Sequence, residues 1–305
     1  MSNNKHDWMS PLALLLMCAL LSAGCSPGGA GQKPKWEKEG WNLVWHDEFD
    51  GAAGTLPDPA IWTLETGDGS DRGIPGWGNR ELEYYTDSAD NVSMDGDGNL
   101  AITIREVDAA ATAPTCYYGP CRYTSARLIT WHKAEAAYSR VEARIKIPFG
   151  RGIWPAFWML GSNLDEVGWP QSGEIDILEN IGSEPATMHG TLHGPGYSGA
   201  NGIGGDYALP QGKRFADDFY VFAIEWEPNE IRWYVDEDNY LTLTPDDIPT
   251  KREWVFDHPF FVVLNVAVGG YWPGDPDETT SFPQTMQVDY VRVYQRVDRA
   301  NTAGD

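Results

Sequence analysis

Residues 140–147 read RVEARIKI. Val141, Ala143, Ile145 and Ile147 alternate with Arg140, Glu142, Arg144 and Lys146, the two-residue period of a strand with one face in a core and the other in water. The same reading extends outward in both directions. Upstream, Leu100, Ile102 and Ile104 alternate with small or polar residues. Downstream, 220–226 and 231–235 flank Pro228-Asn229 and read as a hairpin. Phe260–Val268, FFVVLNVAV, is continuously apolar, which suits a strand covered on both faces. QVDYVRVY at 287–294 closes the series. Turn clusters such as Asp95-Gly96-Asp97-Gly98-Asn99 punctuate the strands, and beyond Trp41 few windows carry a helical period. No internal repeat is detectable. Roughly 265 residues of short strands in one unit imply an all-β fold, a two-sheet β-sandwich of the jelly-roll kind.

That domain is expected over 41–297. Before it, residues 12–21 (LALLLMCALL) are apolar, about half the ~20 residues a spanning helix needs, and Ser22-Ala23-Gly24 follow. A short polar start, a short apolar stretch and a small-residue end describe an export signal over 1–24. SAGC at 22–25 resembles a bacterial lipobox, although Ser22 stands where Leu is preferred. Cys25 is therefore the expected lipidation site, with 25–40 a lipid-anchored tether. The protein is expected to be exported and held in the bacterial cell envelope, at the outer membrane or cell surface. The tail at 298–305 is expected to be frayed. Cys116 and Cys121 remain in CYYGPC, where a Gly-Pro turn brings two sulfurs within reach in an oxidising compartment. A metal site would need further ligands nearby, so a disulfide is expected.

Asp and Glu number 45 against 22 Lys and Arg, a formal charge of −23. Binding to phosphate backbones needs clustered cations, so nucleic acid is excluded as a partner. Charge alone does not bring such a chain to an anionic membrane, leaving the lipid anchor as its contact there. Fourteen tryptophans are a surplus that either fills a core or lines a binding surface for flat apolar faces, sugars included.

GEIDILENIG at 173–182 carries the chemistry. Glu174 and Asp176 are two residues apart and share one strand face, with Ile175 and Ile177 on the other. Glu179 lies five residues from Glu174, an odd spacing that a β-bulge at Ile177-Leu178 would correct. All three acids then line one face. Like charges held close raise at least one pKa, as a general acid requires. Two carboxyl groups are what glycosidic hydrolysis needs, and in retaining enzymes they stand ~5–5.5 Å apart.

GEIDILENIG resembles the active-site signature of glycoside hydrolase family 16 in its bulged, laminarinase-like form, Glu-x-Asp-x-x-Glu. The resemblance extends over WHDEFDG (45–51), GNRELEYYT (78–86), DGNL (97–100), YTSARL (123–128), GIWPAFWMLG (152–161), GTLHGPGY (190–197) and VDYVRVY (288–294). It implies a curved, concanavalin-like jelly roll with a substrate cleft on the concave face. It implies Glu174 as nucleophile, Asp176 as its assistant and Glu179 as acid/base. The implied activity is retaining endo-hydrolysis of β-1,3-glucan, with mixed β-1,3-1,4-glucan as a second substrate. No cofactor is implied for catalysis. A structural Ca²⁺ on the convex side is implied at Glu48, Gly98 and Asp289, two of them binding mainly through main-chain carbonyls. Two alternatives stay open: a relative acting on algal galactans such as agarose or carrageenan, and a non-catalytic β-glucan-binding protein. A monomer is expected.

Other positions are candidates for sugar contact. Trp154 and Trp158 share a face of the preceding strand, with Phe157 turned to the core, and indoles stack on sugar rings. Trp272 follows Gly269-Gly270 in a loop and is placed at the cleft rim. His193 matches a cleft histidine of the family. Asn79, Arg80, Glu81 and Arg127 offer polar groups suited to sugar hydroxyls or to fixing loops. Asn265 is the one polar residue in its apolar run, and a buried amide demands partners that a bound sugar would supply.

Overall fold

The computed structural model describes residues 36–108 and 113–297. The signal at 1–24, Cys25, the tether up to residue 35 and the tail at 298–305 lie outside the described residues. The chain divides into two units at Trp36/Glu37, and every strand discussed below belongs to the second.

Ser139–Lys146 is the strand its alternation implies, with Val141, Ala143 and Ile145 fully buried. It lies in a ten-stranded sheet between Tyr220–Glu227 and Gln284–Arg296, both antiparallel to it. Tyr220–Glu227 turns through Pro228-Asn229 into Glu230–Val235, with Glu227 opposite Glu230 and Asn229 at φ 63°. A left-handed residue at this position suits a two-residue hairpin. The second sheet has eight strands. Its main path runs Ile203–Ala208, Thr187–His193, Glu174–Glu179, Ile153–Gly161, Phe260–Val268, Arg127–Ile129, Thr63–Glu65.

The two sheets close over one core, and alternation decides what enters it. Phe260, Val262, Leu264, Val266 and Val268 point in, as do Ile153, Phe157 and Met159. Phe261 and Val263 take the other face of the eight-stranded sheet, in a smaller cluster with Ile129 and Leu160, partly covered by Trp131, Trp158 and Leu164. Phe260–Val268 is buried at all nine positions, as a two-sided apolar run requires. Trp226 and Trp233 are fully buried, so part of the tryptophan surplus is core.

Two expectations need adjustment. The polar face of Ser139–Lys146 is not simply solvated: Arg140 is 3% and Glu142 4% exposed. Arg140 Nε donates to Glu142 at 2.7 Å and its Nη1 to Glu225 at 3.2 Å, so the charges are covered by one another. The side chains at the calcium positions are also committed. Arg292 donates to both Glu48 oxygens at 2.8 and 2.6 Å, and Arg144 donates to Asp289 Oδ2 at 2.7 Å. Neither carboxylate is therefore free for Ca²⁺, while main-chain carbonyls, which Ca²⁺ also accepts, are untouched by these pairs; no role is derived through the ion. Cys116 and Cys121 are bonded, S–S 2.10 Å, across a two-stranded ribbon.

Candidate active site

Glu174–Glu179 pairs with Ile153–Gly161 on one side and Thr187–His193 on the other. Opposite Phe157 stands Leu178 and opposite Trp158 stands Asp176, so Ile177 is the extra residue of a bulge. Ile175, Ile177 and Leu178 all enter the core, which leaves Glu174, Asp176 and Glu179 on the outer face of the sheet. Core packing therefore selects the register. A bulge removes backbone groups from the ladder, and here Trp233 Nε1 reaches across the core to donate to the Asp176 carbonyl at 2.8 Å. Gly190 makes room for that indole, since a Cβ there would lie 2.7 Å from Trp233 Cδ1 and 2.5 Å from the Tyr240 hydroxyl.

Each carboxyl has a particular partner. Trp169 Nε1 donates to Glu174 Oε2 at 2.8 Å and Trp154 Nε1 to Glu179 Oε1 at 3.1 Å. His193 Nε2 lies 3.2 Å from Asp176 Oδ2 and 3.7 Å from Glu174 Oε1. Burial, with the Asp176 charge next, pushes Glu174 up to about 8. Burial pushes Asp176 up to about 8 as well, against the hydrogen bond from Glu174. Glu179 is raised well above the carboxylate range, by burial first and then by Asp176, with His193 and the Trp154 bond opposing. Three acids this close and this dry share protons as a set. Glu174, Asp176 and His193 offer ligand atoms within 4.8 Å of one another, the one such group among the described residues. That closeness is what proton sharing also requires.

Trp154 and Trp158 are both on the face that carries the acids, as their spacing implies. Trp272 is half exposed and meets Trp154 edge-on at 5.5 Å and His189 at 4.9 Å. Asn79 is exposed and its amide donates to Glu81 at 2.9 Å. Arg80 is exposed in a left-handed conformation. Two candidates are placed differently from expectation. Glu81 is only 4% exposed and lies under the wall rather than in the cleft, because Asn79 and Tyr85 supply its partners. Asn265 needs no sugar, since Trp158 Nε1 donates to it at 2.7 Å and its own amide donates to the Tyr85 hydroxyl at 3.0 Å. Arg127 is held by Glu65 at 2.6 Å and lies over Trp77 and Trp158, which favours the fixing role among its two expected ones.

Two further residues belong here. Trp169 precedes Pro170 in the loop before the acidic strand, and an indole so close to the acids in sequence is the signal for it. His189 stands opposite Glu179 across the ladder, with Nδ1 2.8 Å from Asp206 Oδ1. Its spacing of four from His193 on one strand gives both the same face.

The sequence profile of glycosyl hydrolases family 16 matches residues 80–292. A β-glucanase from Rhodothermus marinus is 40% identical over 287 residues, covering 90% of this chain and 92% of that protein. The laminarinase catalytic domain of Thermotoga maritima superposes with a TM-score of 0.79 at 52% identity, covering 85% of this chain and all of that one. The endo-β-1,3-glucanase of Pyrococcus furiosus superposes with 0.78 at 53% identity, covering 84% and 95%.

Proposed function

The chain belongs to glycosyl hydrolase family 16, and from that premise we infer that its concave cleft hydrolyses β-1,3-glucan within the polymer by double displacement. The observation that carries the mechanism is the bulged strand, which puts Glu174, Asp176 and Glu179 on one face with an indole donor on each outer acid. Glu174 attacks the anomeric carbon. The Trp169 N–H and a proton on Asp176 stabilise the charge on its carboxylate. Glu179, whose environment favours the protonated form, gives its proton to the departing oxygen. The glycosyl ester is then hydrolysed by water that Glu179 deprotonates. Trp154, Trp158 and Trp272 provide apolar faces for glucose rings, and mixed-linkage glucan is a second substrate. The three side chains carry this chemistry without a cofactor.

Two displacements restore the starting configuration, so the first product is the β-anomer. Proton NMR of laminarin hydrolysed over the first few minutes reads this directly. Early α-anomer would mean single displacement by water, and Glu174 would lose its role.

We also propose that Cys25 is acylated and tethers the domain to the cell envelope, on the strength of the 12–25 segment. Among the described residues no helix is long and apolar enough to cross a membrane. Cys25→Ala is expected to move the protein from the membrane fraction to the soluble fraction. Unchanged fractionation, with no lipid on the wild type by mass spectrometry, would reject the anchor.

A further inference from the structure

A second pair of acids is buried in this domain, outside the catalytic cluster. Glu81 is 4% exposed and Glu83 is 0%. Their spacing of two, continued by Tyr85, sets all three on one side of an extended segment. Asn79 Nδ2 donates to Glu81 Oε1 at 2.9 Å, and the Tyr85 hydroxyl donates to Glu81 Oε2 at 3.4 Å. The Val268 N–H donates to Glu83 Oε2 at 2.7 Å. Glu83 Oε1 is fully buried and no N–H or O–H of another residue reaches it. An ionised oxygen left so is costly.

Charge arithmetic points the same way. Arg127 and Arg72 both grip Glu65, at 2.6 Å each, and the Arg127 charge also acts on Glu81. Arg127, already paired with Glu65, is thus the guanidinium acting on Glu81, and one proton on the pair lowers its excess of negative charge. The two glutamates hydrogen-bond to each other. Burial raises Glu81, against the bonds from Glu83 and Asn79 and the charge of Arg127. Burial, then the Glu81 charge, raises Glu83 well above the carboxylate range. Tyr118, whose hydroxyl donates to the Leu82 carbonyl at 2.5 Å, also faces Glu83. Burial raises both Tyr118 and Tyr85 above the ordinary phenol range.

The pair is tied to the cleft at two places. From Glu81, hydrogen bonds run through Tyr85 and Asn265 to the Trp158 indole. From Glu83, they run to Val268, the residue before Gly269-Gly270, and Asn79 O accepts the Tyr271 N–H at 2.9 Å. We propose that Glu81 and Glu83 share one proton and form a positioning pair, holding Trp158 and the 269–272 loop in the glucan-binding wall. This rests on the reading of Trp158 and Trp272 as glucan contacts. Loss of the proton puts an uncompensated charge beneath that wall and loosens both anchors.

Glu83→Gln supplies a donor that does not titrate, whereas Glu83→Ala supplies none. At pH 6, E83Q is expected to keep KM for laminarin within about twofold, and E83A to raise it about tenfold with kcat changed less than about threefold. Binding of laminarihexaose by calorimetry in the inactive E174Q protein separates this from chemistry. Between pH 6 and 9.5, E174Q should lose affinity by about fivefold or more relative to the E174Q/E83Q double variant. Parallel pH courses in the two proteins would overturn the proposal, as would an E83A enzyme with wild-type KM. If E83A does not fold, the E83Q comparison decides alone. If E174Q binds no hexaose at any pH, the cleft reading is what fails. The pair is then judged on near-ultraviolet circular dichroism, where the alkaline change in the tryptophan bands must be present in the parent and absent in E83Q.

Discussion

The outer faces of the two sheets treat the same residue type in opposite ways. Around the strands Ser139–Lys146, Tyr220–Glu227, Glu230–Val235 and Gln284–Arg296 of the ten-stranded sheet, glutamates meet arginines: Glu142 and Glu225 with Arg140, Glu227 and Glu230 with Arg232, Glu48 with Arg292. Burial lifts the Glu48 carboxyl, but the bonds and charge of Arg292 outweigh it and hold the group below its ordinary range. On the eight-stranded sheet Glu174, Asp176 and Glu179 have two indoles and one histidine, and all three are raised. Both faces bury carboxyls. The arginine holds Glu48 toward its anion, whereas Glu174, Asp176 and Glu179 are pushed toward their protonated forms. The lesson is that a guanidinium together with shallower burial separates the structural Glu48 from the reactive acids here.

The sharpest way to break the contrast is at the acids themselves. Glu174→Gln or Glu179→Gln is expected to lower kcat on laminarin by about 10³-fold or more. Stability should move the other way. Glu174 is raised from 4.5 to about 8, so its contribution is fully present below pH 4.5 and is lost as pH rises through about 8. E174Q is spared that loss. Its melting temperature should match wild type near pH 4 and exceed it at pH 8.5, by a margin equivalent to about 2 kcal/mol. Equal melting temperatures at both pH values would show that the acids are not held against their charged form.

A smaller effect is expected behind the acids. Trp233→Phe keeps a ring in the core but removes the N–H to the Asp176 carbonyl. It should cost about tenfold in kcat with KM little changed, because the lost bond places reacting groups rather than substrate. A rise in KM alone would assign Trp233 to packing. On the opposite sheet, Arg292→Met leaves Glu48 without its bidentate partner. It should cost about 1–2 kcal/mol in urea unfolding at pH 7, and progressively less as acid protonates Glu48, with kcat unchanged. A loss of activity there would mean that the two faces are coupled.

Much of the site was legible because its period is local. The odd step from Glu174 to Glu179, set among Ile175, Ile177 and Leu178, fits a strand only with one extra residue, and Ile177 is that residue. Trp154 and Trp158 were placed by the same parity. Burial of polar groups was not legible, because it depends on partners far along the chain. Arg140 is covered through Glu225, 85 residues away, and Glu83 is held by Val268, 185 residues away. Asn265 announced itself as a buried amide, but nothing near it in sequence named Trp158 and Tyr85 as its partners. Trp169 lay in a loop, where no periodicity assigns a direction to the side chain.

The bond from Trp233 to the bulge has a consequence for inheritance. Among the residues on which the acids' alignment depends are a tryptophan and a glycine that never meet a sugar. Gly190 carries no functional group, yet a single methyl there would press on Trp233 and Tyr240. The stretch of gene in which one base change can silence the enzyme is therefore longer than its catalytic signature. Descendants of such a protein could drift to inactivity with Glu174, Asp176 and Glu179 intact. In comparing such descendants, the presence of the acids would need to be checked together with the glycine and indole behind them.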